Sequence, residues 1–259
     1  MDEELLREVR GNVMYVTLNR PQARNALTFS MYAGLAETAD RVAADPAIRA
    51  MVISGAGGRA FAAGTDISQF RGLATPEDAI AYERRIDAVL TRLENCPKPT
   101  IAAIAGACTG GGLAIAAACD LRIGAADARI GMPIARTLGN CLSMISYARL
   151  TALIGAARVA DLIFTARLID GAEAKAIGFL SEVVDPPEDL PARAEALATT
   201  VAGHAPLTLA ATKRALHRLR DITRQVQGDD LVTMCFTSED FREGVEAFLA
   251  RRPPVWRGR

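Results

Sequence analysis

Three consecutive glycines, Gly110, Gly111 and Gly112, stand between the apolar stretch Thr100 to Ala105 and an alanine-rich segment that ends in Cys119-Asp120. The order reads as strand, tight turn, helix. Glycines at such a junction leave N–H groups at the positive end of a helix dipole uncovered by Cβ atoms, so a ligand oxygen can approach them closely. The chemistry this suits is the stabilisation of an anion. Glycine turns also serve purely steric ends, and both readings are open for one turn taken alone. A second segment, Gly55-Ala56-Gly57-Gly58-Arg59-Ala60-Phe61-Ala62-Ala63-Gly64-Thr65-Asp66-Ile67, repeats the pattern directly after the apolar run Ala50 to Ser54.

The elements that must position these loops follow from periodicity. Val13 to Leu18, Ala50 to Ser54 and Leu121 to Ile123 read as strands, and Met31, Leu35, Ala39 and Val42 mark one face of a helix over Ser30 to Val42. Thr75-Pro76-Glu77-Asp78 offers a capping threonine, a proline in the first turn and early acidic residues, which opens a helix running to about Leu93. Alternating strands and helices predict an α/β domain. Beyond Asp185-Pro186-Pro187-Glu188-Asp189 the strand signals stop, and helices are expected over Ala192 to Ala202, Pro206 to Val226 and Ser238 to Ala250. The boundary therefore divides a core, residues 1–189, from a helical region, residues 190–259.

With 259 residues, half of them apolar, the chain can bury a substantial core. Thirty basic and thirty acidic side chains cancel, so no electrostatic affinity for nucleic acid or membranes is expected. The acidic start Met1-Asp2-Glu3-Glu4 does not resemble a secretory signal, and the five cysteines have no metal-ligand spacing. Reduced thiols, a cytoplasmic location and no metal are the expectations.

Phe61-Ala62-Ala63-Gly64-Thr65-Asp66, then Gly106-Ala107-Cys108-Thr109-Gly110-Gly111-Gly112-Leu113 followed by Cys119-Asp120-Leu121-Arg122, resemble the enoyl-CoA hydratase/isomerase (crotonase) superfamily. The resemblance extends to Leu18-Asn19-Arg20-Pro21 near the start and Glu239-Asp240-Phe241-Arg242-Glu243-Gly244 near the end. It implies a spiral of strand-strand-helix units and a helical C-terminal region that assembles trimers, often paired as hexamers. It also implies an acyl-CoA thioester substrate, with coenzyme A entering as part of the substrate and no permanently bound cofactor. In such enzymes two backbone N–H groups hold the thioester oxygen as negative charge develops; residue-by-residue matching places them at Thr65 and Gly111. Each such donor contributes about 3 to 4 kcal/mol.

The two glutamates that handle water in hydratases of this family fall at Ala114 and Ile134, neither of which can exchange a proton. The resemblance therefore implies an acyl-CoA lyase or isomerase in which ordinary hydration is in question. A decarboxylase, a thioester hydrolase and a catalytically silent acyl-CoA-binding subunit are the alternatives. Cys141 falls near the place where some relatives carry a catalytic aspartate, and reads either as an activated thiolate or as an inert buried residue. Arg136 reads as a clamp for a substrate carboxylate or as a solvent-facing side chain. Glu83 lies on the helix that borders the acyl pocket in relatives, and is expected on its solvated face. For the nucleotide part of coenzyme A the resemblance suggests Ala23, Arg24, the backbone of Ala62, Ala63, Gly64, Asp66 and Ile67, and the basic residues Arg251 and Arg252.

Overall fold

The computed structural model describes residues 3–72, 75–221 and 228–259. Strands β1 (Leu5–Arg10) and β2 (Val13–Leu18) pair antiparallel, and α1 (Phe29–Ala44) follows, capped by the Thr28 hydroxyl, which accepts from the Met31 N–H. A strand-strand-helix unit then occurs three times. The first is β3 (Ala50–Gly55), β4 (Ala60–Ala62) and α2 (Pro76–Asn95); the second is β5 (Thr100–Ile104), β6 (Ala107–Thr109) and α3 (Gly111–Ala118). The third is β7 (Leu121–Ala125), β8 (Arg129–Gly131) and the short α4 (Ile134–Thr137). Helices α5 (Met144–Ile154), α6 (Ala156–Phe164) and α7 (Gly171–Ala176) lead to β9 (Glu182–Val184), and α8 (Leu190–Ala202), α9 (Pro206–Asp221), α10 (Asp229–Phe236) and α11 (Glu239–Leu249) complete the chain.

The first strand of each unit joins a sheet ordered β1-β2-β3-β5-β7-β9, and the second joins a parallel sheet ordered β4-β6-β8. Each unit thus adds one rung to both sheets before its helix returns, which is the spiral that the resemblance implies. Side chains alternate along a strand, so a sheet covered on both faces must be apolar throughout. In β3, Met51 and Ile53 pack with Leu35 of α1 and Leu90 of α2, whereas Ala50 and Val52 pack with Ala194 and Ala198 of α8. The boundary expected at residue 189 therefore separates α8 from the sheet that it covers.

Other departures are local. The strand directly before the glycine run is β6, in the small sheet; the expected strand from Thr100 ends at Ile104. Strands β4, β6 and β8 have only three residues each, too few for periodicity to mark them. Helices α5 to α7 were not anticipated. The expected helix from Pro206 is described as far as Asp221, and its end at Val226 lies outside the described residues. Among the described residues, no helix is long and apolar enough to cross a membrane.

Helix α2 carries much of the site, and its orientation is fixed at both ends. At its start the Thr75 hydroxyl and the Asp78 carboxylate each accept from the other's backbone N–H, a reciprocal capping pair. Near its end Glu94, 1% exposed, accepts two hydrogen bonds from Arg149 of α5, each 3.2 Å long, and pairs with Arg220 of α9 at 2.6 Å. Removing this carboxylate leaves the buried Arg149 guanidinium without its main counter-charge. Glu94→Ala is therefore expected to destabilise the protein by about 3–5 kcal/mol. A urea midpoint within error of the parent's would contradict that account.

Candidate active site

The two glycine loops meet at one cavity. Gly110, at φ 52° and ψ −120°, occupies a backbone conformation open essentially to glycine alone, and it turns the chain from β6 into α3. Gly111 is then the first residue of α3, so its N–H has no acceptor within the helix. On the other loop Leu27 pairs with the backbone on both sides of Thr65: the Leu27 N–H donates to the Gly64 carbonyl, and the Asp66 N–H donates to the Leu27 carbonyl, each at 2.8 Å. The backbone of Thr65 faces away from that ladder. Among the described residues, no backbone hydrogen bond outside the regular elements uses the N–H of Thr65 or Gly111.

Thr65, Gly111, Ala114 and Ile134 line the same cavity, of about 510 Å³, which is the size range of small-ligand sites. Most of its wall is apolar, with Phe70, Ile86, Met132, Leu138, Leu142 and Phe248 contributing. Phe248 comes from α11, so the C-terminal helices help to close the cavity. Phe236 of α10 and Phe70 pack around the Tyr82 ring, with centroids 5.9 and 5.0 Å away. The region after residue 189 thus contributes to the site itself.

The Thr65 side chain is tied into this wall. Its Oγ1 lies 2.9 Å from the Tyr32 hydroxyl and 3.4 Å from the Tyr82 hydroxyl. Burial pushes both phenols above their ordinary pKa, so they remain neutral around pH 7. Asp66 caps the turn that follows: its Oδ1 accepts from the Ser68 hydroxyl at 2.7 Å, and its Oδ2 pairs with Arg20 at 3.0 Å. Burial alone would raise its pKa, but the Ser68 and Arg20 hydrogen bonds outweigh that and hold the carboxyl below its ordinary value.

Arg24, which lines the cavity, and the buried Asn25 behind it both adopt left-handed backbone conformations, at φ 51° and 54°. The buried Asn25 amide fixes them by donating to the Ala56 and Ala60 carbonyls and accepting from the Arg20 N–H. Ala23, Arg24, Ala63, Gly64, Asp66 and Ile67 all line the cavity, whereas Ala62 is buried behind it. Arg251 and Arg252 do not line it. Arg252 makes a two-pronged pair with Glu243, at 2.5 and 2.8 Å, which with a Val255 N–H holds that carboxyl down at about 2. The terminal arginine expected to reach a phosphate is already engaged within the chain.

Three further expectations are corrected. Cys141 is buried, and its thiol donates to the Leu231 carbonyl at 3.4 Å instead of facing the cavity. The neighbouring Cys235, together with burial, pushes the Cys141 thiol above its ordinary value, which favours the inert buried reading. Arg136 is exposed on α4 and absent from the cavity wall, so it clamps no carboxylate there. Glu83 is half-buried and turned toward the cavity, not on the solvated face of α2. It lines the cavity beside Tyr82 and Ile86, and burial, reinforced by Asp87, raises its carboxyl to about 8 against the Ser143 backbone N–H.

The signal for Glu83 was present in the sequence. Position 83 lies four residues after Ala79, three before Ile86 and seven before Leu90, on the inward stripe of α2. Because its folded-state pKa is raised, ionisation of Glu83 opposes folding. Its neutral form predominates below about 8, and its contribution lowers stability as pH rises from the ordinary value of 4.5 toward about 8. Asn140 was missed as well: it lines the cavity, and its buried Oδ1 receives no hydrogen bond while its Nδ2 donates to the Cys141 carbonyl.

Comparison with known proteins agrees with this architecture. A profile of the family described as Enoyl-CoA hydratase/isomerase matches residues 8–259. The short-chain-enoyl-CoA hydratase of Clostridium acetobutylicum is 35% identical over 248 residues, 95% of this chain and 94% of that protein. The (E)-benzylidenesuccinyl-CoA hydratase of Thauera aromatica is 36% identical over 256 residues, covering 97% of this chain and 98% of that protein. Among solved structures, an enoyl-CoA hydratase/carnithine racemase from Magnetospirillum magneticum superposes with a TM-score of 0.81 at 33% identity, covering 100% of this chain and 97% of the other. A methylmalonyl-CoA decarboxylase in complex with 2-nitronate-propionyl-CoA superposes with a TM-score of 0.87 at 26% identity and 99% coverage of both chains. With a matched profile along nearly its whole length and the same spiral of strand-strand-helix units, the chain belongs to the enoyl-CoA hydratase/isomerase (crotonase) family.

Proposed function

We propose that this protein is an acyl-CoA-processing enzyme that stabilises a thioester enolate between the backbone N–H groups of Thr65 and Gly111. The observation that supports this is the pair of uncommitted N–H donors on two loops of one apolar cavity. Donors held rigidly in a water-poor site need no rearrangement as charge develops on the substrate oxygen. Coenzyme A enters with the substrate, and Arg24 on the cavity wall is the side chain suited to a phosphate oxygen. With Ala114 and Ile134 in place of two carboxyls, the native chain adds water to crotonyl-CoA slowly. The reaction class is proton transfer next to a thioester carbonyl, as in an isomerase or lyase.

Decarboxylation is a second reading, favoured by the likeness to the methylmalonyl-CoA decarboxylase. Loss of carbon dioxide leaves its electron pair as the enolate and needs no base. Calorimetric titration with butyryl-CoA, and turnover across enoyl- and malonyl-type thioesters, test both. Saturable binding with turnover of either type supports an enzyme; binding with no turnover leaves a silent acyl-CoA-binding subunit; no binding at millimolar ligand sinks the reading. Leu207, Leu216 and Leu219 on α9 and Met234 on α10 are large, exposed apolar side chains. They support the expected homotrimer or its dimer, and a monomer in sedimentation equilibrium of the same sample would oppose it.

A further inference from the structure

The reaction requires a group that moves a proton, and the described cavity wall offers few. Its ionisable side chains are Arg24, Tyr32, Asp66, Tyr82 and Glu83. Arginine does not deprotonate in proteins. The two phenols are buried and hydrogen-bonded through Thr65, and Asp66 is occupied by Arg20 and Ser68. That elimination leaves Glu83, which lines the cavity from α2, an element that carries neither Ala114 nor Ile134.

We propose that Glu83 is the proton-transfer residue of this site, exchanging a proton with the carbon beside the thioester carbonyl while the Thr65 and Gly111 N–H groups hold the oxygen. The proposal rests on the acyl-CoA reading above. In the forward direction the Glu83 carboxylate takes the proton as the C–H bond breaks. The released electron pair forms the carbon–carbon double bond of the enolate, and the carbonyl pair moves onto oxygen. In the return direction the neutral carboxyl delivers the proton to carbon and the thioester carbonyl re-forms. No oxidant, reductant or metal takes part.

The surroundings suit a group that must exist in both forms. Asp87 on the same helix opposes ionisation of Glu83, and the Ser143 N–H favours it. Asp87 is itself engaged by the Ser143 hydroxyl at 2.8 Å and faced by Arg149 at 3.7 Å. Tyr32, Tyr82, Tyr147, Cys141 and Cys235 are the other titratable groups near Glu83; burial raises the tyrosines, the Cys235 contact together with burial raises Cys141, and the same contact lowers Cys235 to about 7. A carboxyl poised at about 8 supplies base and acid forms in comparable amounts near its working pH, where proton transfer is most efficient.

The test is deuterium uptake into butyryl-CoA in D2O, read by mass spectrometry across pH 6 to 10, about two units either side of Glu83's midpoint. The parent protein is expected to wash deuterium into the acyl chain at a rate that rises with pH, is half-maximal near 8 and levels off about one unit higher. Glu83→Gln should bind butyryl-CoA calorimetrically as the parent does, yet exchange about a hundredfold more slowly or worse, with the inflection gone. Glu83→Asp should recover part of the rate and keep an inflection, which a purely structural role would not produce. Exchange by Glu83→Gln within threefold of the parent overturns the proposal, and so does a parent that binds butyryl-CoA without exchange. Failure of the parent to bind butyryl-CoA removes the acyl-CoA reading itself, and the role of Glu83 with it.

Discussion

Gly111→Ala is expected to reduce exchange and turnover on acyl-CoA substrates by about a hundredfold or more, the range seen when one oxyanion donor is lost. A methyl group at this position would collide with the Tyr32 hydroxyl oxygen and press on Thr65 Oγ1 at 3.0 Å and Leu27 Cδ1 at 3.1 Å. Tyr32 is 1% exposed and its hydroxyl is bound to Thr65, so retreat of the ring would break that hydrogen bond and shift Thr65. Whether the ring or the start of α3 gives way, the Gly111 and Thr65 N–H groups lose their alignment. Overpacking of this kind also costs about 1–3 kcal/mol of stability, so the loss of rate must be separated from loss of fold.

Tyr32→Phe provides that separation. Removing the phenol oxygen vacates the space that the methyl needs, and the double variant Gly111→Ala/Tyr32→Phe should recover stability and a measurable part of the rate. Urea midpoints and deuterium uptake on the four members of the cycle give the coupling directly. Additive effects would show that the collision is not the cause, and an unimpaired Gly111→Ala would remove Gly111 from the oxyanion hole.

The same contact explains what the sequence could and could not convey. The glycine run and the Gly64-Thr65 loop were legible because a glycine needed for close approach leaves no substitute. Strands β3, β5 and β7 were legible because both faces of their sheet are covered and their residues are apolar throughout. The smaller sheet was not, since Ala60–Ala62 and Arg129–Gly131 are too short for an alternation to emerge. Side-chain chemistry misled in both directions. Arg136 and Cys141 have reactive types at plausible positions, but one faces solvent and the other is buried with its thiol hydrogen-bonded to a backbone carbonyl. Glu83 was assigned to solvent by its charge, although the 3.6-residue period of α2 placed it inward. At a helical position where type and period disagree, an inward charge is costly unless it is used.

The sharpest contrast between this chain and a hydratase lies at Ala114 and Ile134, and restoring both carboxyls should change the reaction. Ala114→Glu together with Ile134→Glu is expected to raise hydration of crotonyl-CoA at least tenfold over the native chain, a conservative share of the roughly 10²–10⁴-fold that a general acid–base group contributes. Both positions line the cavity that holds Thr65 and Gly111, and each lies in the first turn of its helix, α3 or α4, where a carboxylate is tolerated best. One carboxylate cannot both activate water and protonate carbon in the same addition, so each single substitution should gain much less than the pair. Glu83 works against the gain, because a third acidic group in one apolar cavity raises the pKa of the others. Adding Glu83→Gln to the pair should therefore preserve or increase hydration, which assigns the addition of water to the two introduced carboxyls. Loss of the enoyl thioester absorbance is the measurement. Unchanged hydration by a folded, butyryl-CoA-binding pair variant would mean that the cavity cannot seat water beside the double bond, whatever acids surround it.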